Sequence, residues 1–439
     1  MSEVLSTLDW ALKRALELGA DEAEVTASRS TGRSVKSEGV HLKATFRHSI
    51  DAWVRVSKGK RFAIATVSSL EKRAVEEAAE LAVRMALKAE EDPYWEGLPD
   101  PEQPLHSWRG FDEGVATAPS EWLVELARTL ISEAGEDPRL KVSGVFASAE
   151  HGSYFVVNTR GVSAEDRGTS FWCGIELKAS EGGEGFGFAS TASRSLRVDV
   201  HELVERARTL ALDSARGEKL GGVIKGNVLV RAEPLASLVD ALLLPAFNAM
   251  NVLEGFSPLR DKLGQRVLGN LTIVDDGTMV GGLETSLYDA EGSARRRTVL
   301  VEEGVLKGFL HNNYTARRMK APRTGNAARA RGAVTISRTN LVIQGGRESE
   351  EALVESAQLV VDGFLLSVHT VNSITGNFSV VASNPYLVKN GELKPLKPVT
   401  IAANIYEIAD SLTPAKRVKN THTGVYAPDL LMGRVTVSG

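Results

Sequence analysis

The chain has 439 residues, of which 43% are hydrophobic and 25% are charged, so it is long enough for two domains and too apolar for a disordered protein. Its 52 lysines and arginines against 56 aspartates and glutamates leave a net charge of -4, which provides no long-range attraction to nucleic acid or to an anionic membrane. The composition therefore excludes a disordered chain and argues against a general nucleic-acid binder.

The N-terminal residues lack the features of a secretion signal. Charges at Glu3, Asp9 and Lys13 interrupt the apolar residues, and no stretch of the chain approaches the roughly 18 to 20 uninterrupted apolar residues that a membrane helix needs. We therefore expect a cytoplasmic protein. Cys173 is the single cysteine, which excludes an internal disulfide and any multi-cysteine metal site and leaves open only a site built from histidine and carboxylate.

Apolar periodicity in the first half alternates between the helical and the strand pattern. Ser69 is the expected cap of the second helix, and prolines between residues 92 and 119 predict an irregular connection. The predicted elements are, in order, a helix over 4–18, an antiparallel meander over 22–67, a helix after 69, the connection over 92–119, a helix over 120–133, strands over 140–190 and a helix over 200–215.

The second half begins after a cluster of glycines at Gly217, Gly221 and Gly222, which predicts domains of residues 1–217 and 218–439. Short strands dominate it. Turns are predicted at 302–304 and at Asn390-Gly391, a preferred hairpin pair, and helices only at about 234–251 and 349–358. No repeat of fixed period is evident. We expect an α+β fold with an N-terminal antiparallel sheet and helices, followed by a β-rich C-terminal domain of barrel or sandwich type.

Residue patterns for catalysis are sparse. His201-Glu202 begins a stretch that resembles a zinc-binding helix, but Glu205 stands where the second histidine would be, which favours a solvated helix face capped by Asp199. There is no Gly-x-Ser-x-Gly sequence, and Cys173 lies in an apolar strand pattern typical of a buried residue. The remaining histidines show no ligand spacing: His41, His48, His106, His151, His311, His369 and His422.

Two further segments carry unusual composition. Residues 182–187 are rich in glycine but lack the Lys-Ser/Thr of a phosphate loop, so they are predicted to be flexible strand glycines. Residues 317–331 contain only basic charges, and we expect a mobile loop or a clamp for a peptide carboxylate or an acidic partner more than a nucleic-acid site. The basic residues are Arg317, Arg318, Lys320, Arg323, Arg329 and Arg331.

Two blocks of the second half resemble the TldD/PmbA family, whose members have also been described as modulators of DNA gyrase. The first, SLYDAEGSARRRTVLVEEGVLKGFLHNNYTARRM, contains Asp289, Glu291, Gly292, Arg296 and Arg297 ahead of a hairpin. The second, SITGNFSVVASNPYLVKNGELKPLKPVTIAANI, has Thr375-Gly376 before a strand, the Asn390-Gly391 turn, and Asn404. The resemblance runs the length of the chain, although the first half matches in pattern only.

The zinc motif of that family is missing from this chain. TldD-type members carry His-Glu-x-x-x-His on the helix after the boundary strand and a cysteine near the C-terminus. The corresponding positions here are Asp240, Ala241 and Pro245, with Tyr426 near the cysteine position. The resemblance is therefore to the PmbA/TldE type, which implies no catalytic or metal residue in this chain and zinc in a TldD-type partner.

The resemblance implies a silent subunit of a heteromeric zinc peptidase that acts on unfolded or extended peptides, with a homodimer possible for the isolated chain. Two alternatives remain: a stand-alone peptidase with a site assembled from scattered residues, and a regulatory protein that binds gyrase or other nucleic-acid machinery. Six family-block residues are expected to support the hairpins or to contact substrate: Asp289, Arg296, Arg297, Thr375, Gly376 and Asn404.

Overall fold

The structure is a computed structural model that describes residues 3–38, 41–108, 110–180, 182–330 and 332–439. In its N-terminal region all strand pairings are antiparallel, and one six-stranded sheet has the order β3-β2-β1-β4-β5-β6. The elements of this region are α1 (Glu3–Glu17), β1 (Glu22–Glu38), β2 (His41–Lys58), β3 (Arg61–Val67), α2 (Lys72–Ala86), α3 (Glu113–Thr117), α4 (Ser120–Ala134), β4 (Leu140–Asn158), β5 (Ser163–Ala179), β6 (Gly185–Ser193) and α5 (Val200–Arg216).

This region consists of two successive units of the same order, helix, three strands and helix. The helices α1 and α2 cover β1 to β3, while α4 and α5 cover β4 to β6, and the units join where β1 pairs with β4. Both helix pairs lie on one surface of the sheet because alternate strand residues such as Val25 and Ile175 are apolar and buried there. The repeat lies in the topology, which explains why no fixed sequence period reveals it.

The C-terminal region contains a closed five-stranded barrel. Its strands follow the order β14-β7-β21-β17-β15, and β15 pairs back to β14. The elements are β7 (Val223–Val230), α6 (Ala232–Phe247), α7 (Ala249–Glu254), β8 (Ile273–Asp276), β9 (Arg297–Glu302), β10 (Val305–Leu306), α8 (Asn313–Arg318), β11 (Ala327–Ala330), β12 (Ala333–Ile336), β13 (Asn340–Ile343), α9 (Glu350–Ser356), β14 (Leu359–Leu366), β15 (Asn377–Lys389), β16 (Glu392–Pro395), β17 (Val399–Asn404), β18 (Leu412–Pro414), β19 (Lys419–Asn420), β20 (Val425–Ala427) and β21 (Leu430–Ser438), with 3-10 turns at Val368–Thr370 and Ala409–Ser411.

A second sheet of this region has the order β10-β9-β8-β13-β20-β19. Helix α6 contributes to the apolar core that the barrel and this sheet share. The expected α+β architecture is confirmed, and the β-rich part is of the barrel type. Both hairpin turns form as the sequence predicts, because Glu303, Gly304, Asn390 and Gly391 all have positive φ.

Two predicted helix boundaries are wrong. Ser69 does not cap α2; its hydroxyl accepts from the Glu71 amide in the turn before the helix, which starts at Lys72. The helix expected over 234–251 is two helices, because Asn248 is extended and its side chain caps α7 by accepting from the Met250 amide at 2.9 Å. Across the residues that the structure describes, no helix is both long enough and apolar enough to cross a membrane.

Candidate functional site

Helix α6 presents Asp240, and a guanidinium group holds this carboxylate. Arg338 donates from Nε to Asp240 Oδ1 at 2.6 Å and from Nη2 to Oδ2 at 2.8 Å. Arg338 also donates to the carbonyl of Thr423 at 2.9 Å, in the turn that precedes β20. Since α6 packs against β20, which carries Tyr426, the two elements with the motif positions are neighbours, and Arg338 links α6 to the turn before β20.

The side chains at these positions do not suit zinc. Protein zinc ligands are cysteine, histidine and carboxylate, and only Asp240 is one of these. Ala241 and Pro245 offer no side-chain ligand, and burial raises the pKa of the Tyr426 phenol, which keeps it protonated. The Arg338 charge would also repel a divalent cation at Asp240. No cluster of three or more His, Cys, Asp or Glu elsewhere in the described ranges is arranged to hold a metal ion.

A buried ionic cluster joins the two regions at one end of the N-terminal sheet. Arg55 on β2 donates to Glu24 on β1 and to Glu291 of the C-terminal region, each at 2.8 Å, and Arg329 on β11 pairs with Glu24. All four side chains are at most 5% exposed. The backbone amide of Asn313 also donates to Glu291 at 2.8 Å. Each charge therefore has an opposite charge beside it, as burial requires.

A cleft of about 350 Å³ lies beside this cluster, between the sheet and the C-terminal region. Its sheet side is made largely of small residues, among them Ser30, Gly152 and Gly168. Arg194 bridges the cleft walls by donating to the carbonyls of Thr169 at 2.8 Å and Thr285 at 3.1 Å, and burial lowers its pKa. With hydroxyl side chains on both walls, the cleft has groups that can bond the amides and carbonyls of a peptide.

Asp289 organises the C-terminal wall of the cleft. Its carboxylate accepts from the backbone amides of Glu291 at 2.9 Å, Ser293 at 3.0 Å and Ala327 at 3.0 Å. Burial, together with Glu291, raises the pKa of Asp289. Arg296 lies farther along the same loop and pairs with Glu102 of the connection at 2.6 Å, whereas Arg297 is exposed at the start of β9. The structure thus brings Asp289 to the cleft and leaves Arg297 on the surface.

Thr375, Gly376 and Asn404 form a separate group at one end of the barrel. Asn404 donates to the Thr375 carbonyl at 2.8 Å and accepts from the Tyr406 amide at 3.0 Å. Gly376 has a φ of 82°, and an added Cβ would lie 2.4 Å from the Tyr406 ring, so only glycine fits there. These contacts hold two turns together and involve no residue of the cleft.

The basic segment binds the chain's own proline-rich connection. Arg317 donates to the carbonyls of Glu96 at 2.6 Å and Leu98 at 3.1 Å, and Arg323 pairs with Glu102 at 2.6 Å. Arg318 lies 3.9 Å from the centre of the Tyr94 ring. Arg331 lies outside the described residues. The basic segment is therefore an internal clamp, and the expected mobile loop or clamp for an external acidic group is replaced. The sequence could not show this, because the connection lies more than 200 residues away.

The other sequence candidates take structural positions. Cys173 is buried, and burial raises its pKa to about 12, so the thiol stays protonated. His201 is exposed and its Nδ1 lies 2.8 Å from Glu133 Oε1. Gly185 and Gly187 are not flexible spacers, since an added Cβ would lie 2.1 Å and 2.0 Å from carbonyls of α5, which therefore packs directly on β6.

The buried ionic cluster was not predicted from the sequence. Glu24 and Arg55 occupy polar positions of two alternating strand patterns, EAEVTAS and DAWVRVS, so the sequence does not mark them as buried. A charge on the surface of a strand opposite its apolar side is ordinarily solvated. Only the pairing with the C-terminal region reveals that these two are buried.

The chain matches known families and proteins over most of its length. Residues 113–215 match the PmbA/TldA metallopeptidase central domain, and residues 224–439 match the C-terminal domain of the same name. An uncharacterised protein of Methanocaldococcus jannaschii is 34% identical over 311 residues, which cover 70% of this chain and 72% of that protein. Metalloprotease PmbA of Escherichia coli O157:H7 is 25% identical over 451 residues, with coverage of 98% and 96%.

The structural comparison covers nearly the whole chain. TldE from Thermococcus kodakarensis superposes with a TM-score of 0.90 at 26% sequence identity, over 99% of this chain and 100% of that one. The match includes both the N-terminal sheet and the C-terminal barrel.

Proposed function

The chain belongs to the PmbA/TldD metallopeptidase family, and from this premise we propose that it is the zinc-free, TldE/PmbA-type subunit of a two-subunit peptidase. In this proposal a TldD-type subunit supplies zinc and the catalytic groups, and the complex acts on unfolded or extended peptides in the cytoplasm. The observation that carries the proposal is the ion pair between Asp240 and Arg338, at a position where a catalytic member needs metal ligands.

The interdomain cleft supports a share in peptide binding. Small residues on its floor leave room for an extended peptide, and hydroxyl side chains on both walls can bond its backbone without regard to its sequence. We propose that residues 1–217 and 218–439 are two domains and that the cleft between them contributes part of the peptide groove. Asp289 would support this groove from behind, since its carboxylate is already bonded to three amides.

A stand-alone peptidase has less support, because the described residues contain no metal-binding cluster of three or more ligand side chains and no exposed thiol. A nucleic-acid role has no specific support either. The basic segment that suggested it has Arg317, Arg323 and Arg329 paired within the chain.

The test combines metal content with cleavage. Elemental analysis of the tag-free chain should find no stoichiometric zinc, and an unfolded casein-like substrate should be cleaved only when a TldD-type subunit from the same source is added. A matched control replaces the motif glutamate of that subunit with glutamine, which should abolish cleavage while the complex still forms. Zinc near one per chain, with chelator-sensitive cleavage by this chain alone, would overturn the proposal in favour of a stand-alone peptidase.

A further inference from the structure

Among the residues that the structure describes, the C-terminal region covers one end of the sheet surface that faces away from the helices, and its Phe364 also packs against Phe186 and Phe188 of the edge strand β6. Glu24 and Lys36 are an even number of residues apart on β1, as are Arg55 and Lys43 on β2, so all four side chains point to this surface. Glu24 and Arg55 lie under the C-terminal region, whereas Lys36 and Lys43 are 60% and 57% exposed. We call the two parts the covered end and the open end.

Like charges face each other at the open end. Lys36 on β1 is directly opposite Lys43 on β2, and the two share a single carboxylate, Glu38, at 3.0 Å and 3.3 Å. Lys141 on β4 is directly opposite Lys178 on β5, and both are exposed. Like charges at directly opposed strand positions destabilise a sheet, so these pairs do not serve the stability of the isolated chain.

An aromatic platform lies beside these lysines. Phe146 on β4 is opposite Gly174, where an added Cβ would lie 2.4 Å from its ring, so the ring lies across the glycine. Trp172 lies against Phe146 with ring centres 4.0 Å apart and remains 46% exposed. The platform and the cations line one depression of about 420 Å³, whose lining includes Ser34, Lys36, Lys43, Arg47, Phe146 and Trp172.

We propose that the open end is the docking surface for the partner subunit, which meets it with carboxylates against the lysines and an apolar side chain against Trp172. This inference rests on the proposed function, since the occupant is the TldD-type subunit. Charge complementarity supports it, because an excess of cations over carboxylates at the open end favours an anionic partner. Continuity supports it as well, because the same sheet surface already forms the interface with the C-terminal region at its covered end.

The chemistry disfavours two other occupants. A second copy of this chain would bring its own open end, with five cations against the carboxylates of Glu38, Glu150 and Glu176, onto a surface of the same sign. The five cations are Lys36, Lys43, Arg47, Lys141 and Lys178. Single-stranded nucleic acid needs separate ring faces for its bases, but here Phe146 and Trp172 lie against each other, and the carboxylates would repel phosphate.

The experiment measures binding of the full chain to a TldD-type subunit from the same source by titration calorimetry. The double variant Lys36→Glu/Lys43→Glu should weaken binding by about tenfold or more, and Trp172→Ala by about tenfold, since buried aromatic anchors and matched charges dominate interfaces. The control Lys13→Glu/Lys88→Glu reverses two exposed lysines on the helical side and should leave the Kd within about twofold. All substituted side chains are exposed, and far-ultraviolet circular dichroism verifies that each variant is folded.

The possible results separate the inference from the proposed function. If the wild-type chain binds the TldD-type subunit and supports cleavage, but both open-end variants bind as tightly as the control, the docking surface is wrong and the proposed function stands. If the wild-type chain forms no complex, both fail. A homodimer that dissociates in the double variant, or retention of a single-stranded oligonucleotide that the double variant loses, would assign the open end to those occupants and overturn the inference.

Discussion

The covered end and the open end of one sheet surface differ in how their charged residues are paired. At the covered end, Arg55 lies 2.8 Å from carboxylates of both regions, and Glu24 accepts from guanidinium groups of both. At the open end, Lys141 directly faces Lys178. The covered end shows what occupation of this surface requires, namely a carboxylate for each buried cation. The open end has five cations against three carboxylates, so a partner that covered it would have to supply carboxylates of its own.

Removal of Glu24 gives the largest expected effect. Glu24→Gln leaves Arg55 and Arg329 buried without their shared carboxylate, and loss of one partner from a buried ionic group costs about 3 to 5 kcal/mol. Chemical denaturation of the purified chain measures the free energy of unfolding. The matched control is Glu150→Gln, an exposed carboxylate on β4, which should change stability by no more than about 0.5 kcal/mol. Equal losses in the two variants would remove the distinction between the ends.

A pH-dependent effect is expected near the covered end. His311 is buried, and burial lowers the pKa of its imidazole to about 4. It lies two residues before Asn313, whose backbone amide donates to Glu291. The unfolded chain has a histidine pKa of about 6.5 and binds the proton first as the pH falls, so this residue's contribution to stability is complete above about pH 6.5 and is lost toward pH 4, by about 3 kcal/mol in total.

The measurement compares unfolding free energies of the wild type and His311→Asn from pH 8 to pH 4. At pH 8 the difference reports the packing that the ring provides. As the pH falls the wild type should lose its advantage, because only it has the buried imidazole. A difference that stays constant with pH would mean that His311 keeps an ordinary pKa in the folded chain.

Disruption of the ion pair between Asp240 and Arg338 should have an intermediate effect on the free energy of unfolding. Asp240 is 36% exposed and Arg338 10%, so solvent screens their interaction more than that of the buried cluster. We expect Asp240→Asn to cost about 1 kcal/mol and a double-mutant cycle with Arg338→Ala to give a coupling energy of similar size. A coupling near zero would show that the pair does not hold α6 to the turn before β20.

Local features of the fold could be predicted from the sequence, and the contacts between its parts could not. The turns at Glu303-Gly304 and Asn390-Gly391 depend on residues that tolerate positive φ, which a short stretch of sequence reveals. Closure of the barrel instead needs β14 to pair with β7, more than 100 residues earlier, and no local pattern encodes that pairing. Asn248 divides the predicted helix because its side chain caps α7. In the sequence, however, it looks like any other polar residue of a helix.

The same distinction between local features and long-range contacts applies to the candidate site. The missing zinc motif was visible because its residues are close in sequence, at Asp240, Ala241 and Pro245. Arg338, which pairs with Asp240, is 98 residues away, and Glu291 lies 236 residues from Arg55. Glu291 reaches Arg55 through the packing of the two regions, and Arg338 reaches Asp240 through packing within the C-terminal region. The family resemblance located the motif positions in the sequence, and the structure shows the ion pair that Asp240 makes there with Arg338.

The smallest expected effect is the most specific to the open end. Lys178→Thr removes one member of the opposed pair with Lys141, so the isolated chain should become more stable by about 0.3 to 0.5 kcal/mol. Thr also favours strands, so the control is Lys394→Thr, an exposed strand lysine opposite Leu387, which has that gain without the relief of repulsion. The excess in Lys178→Thr should fall as salt is raised to about 1 M, where the screening length is about 3 Å. The same substitution should weaken binding to the TldD-type subunit, because it removes a cation that a partner carboxylate would meet. A residue that destabilises the free chain and strengthens the complex is maintained for the complex; a Lys178→Thr variant that gains nothing over Lys394→Thr would show that the opposed lysines carry no unmatched charge.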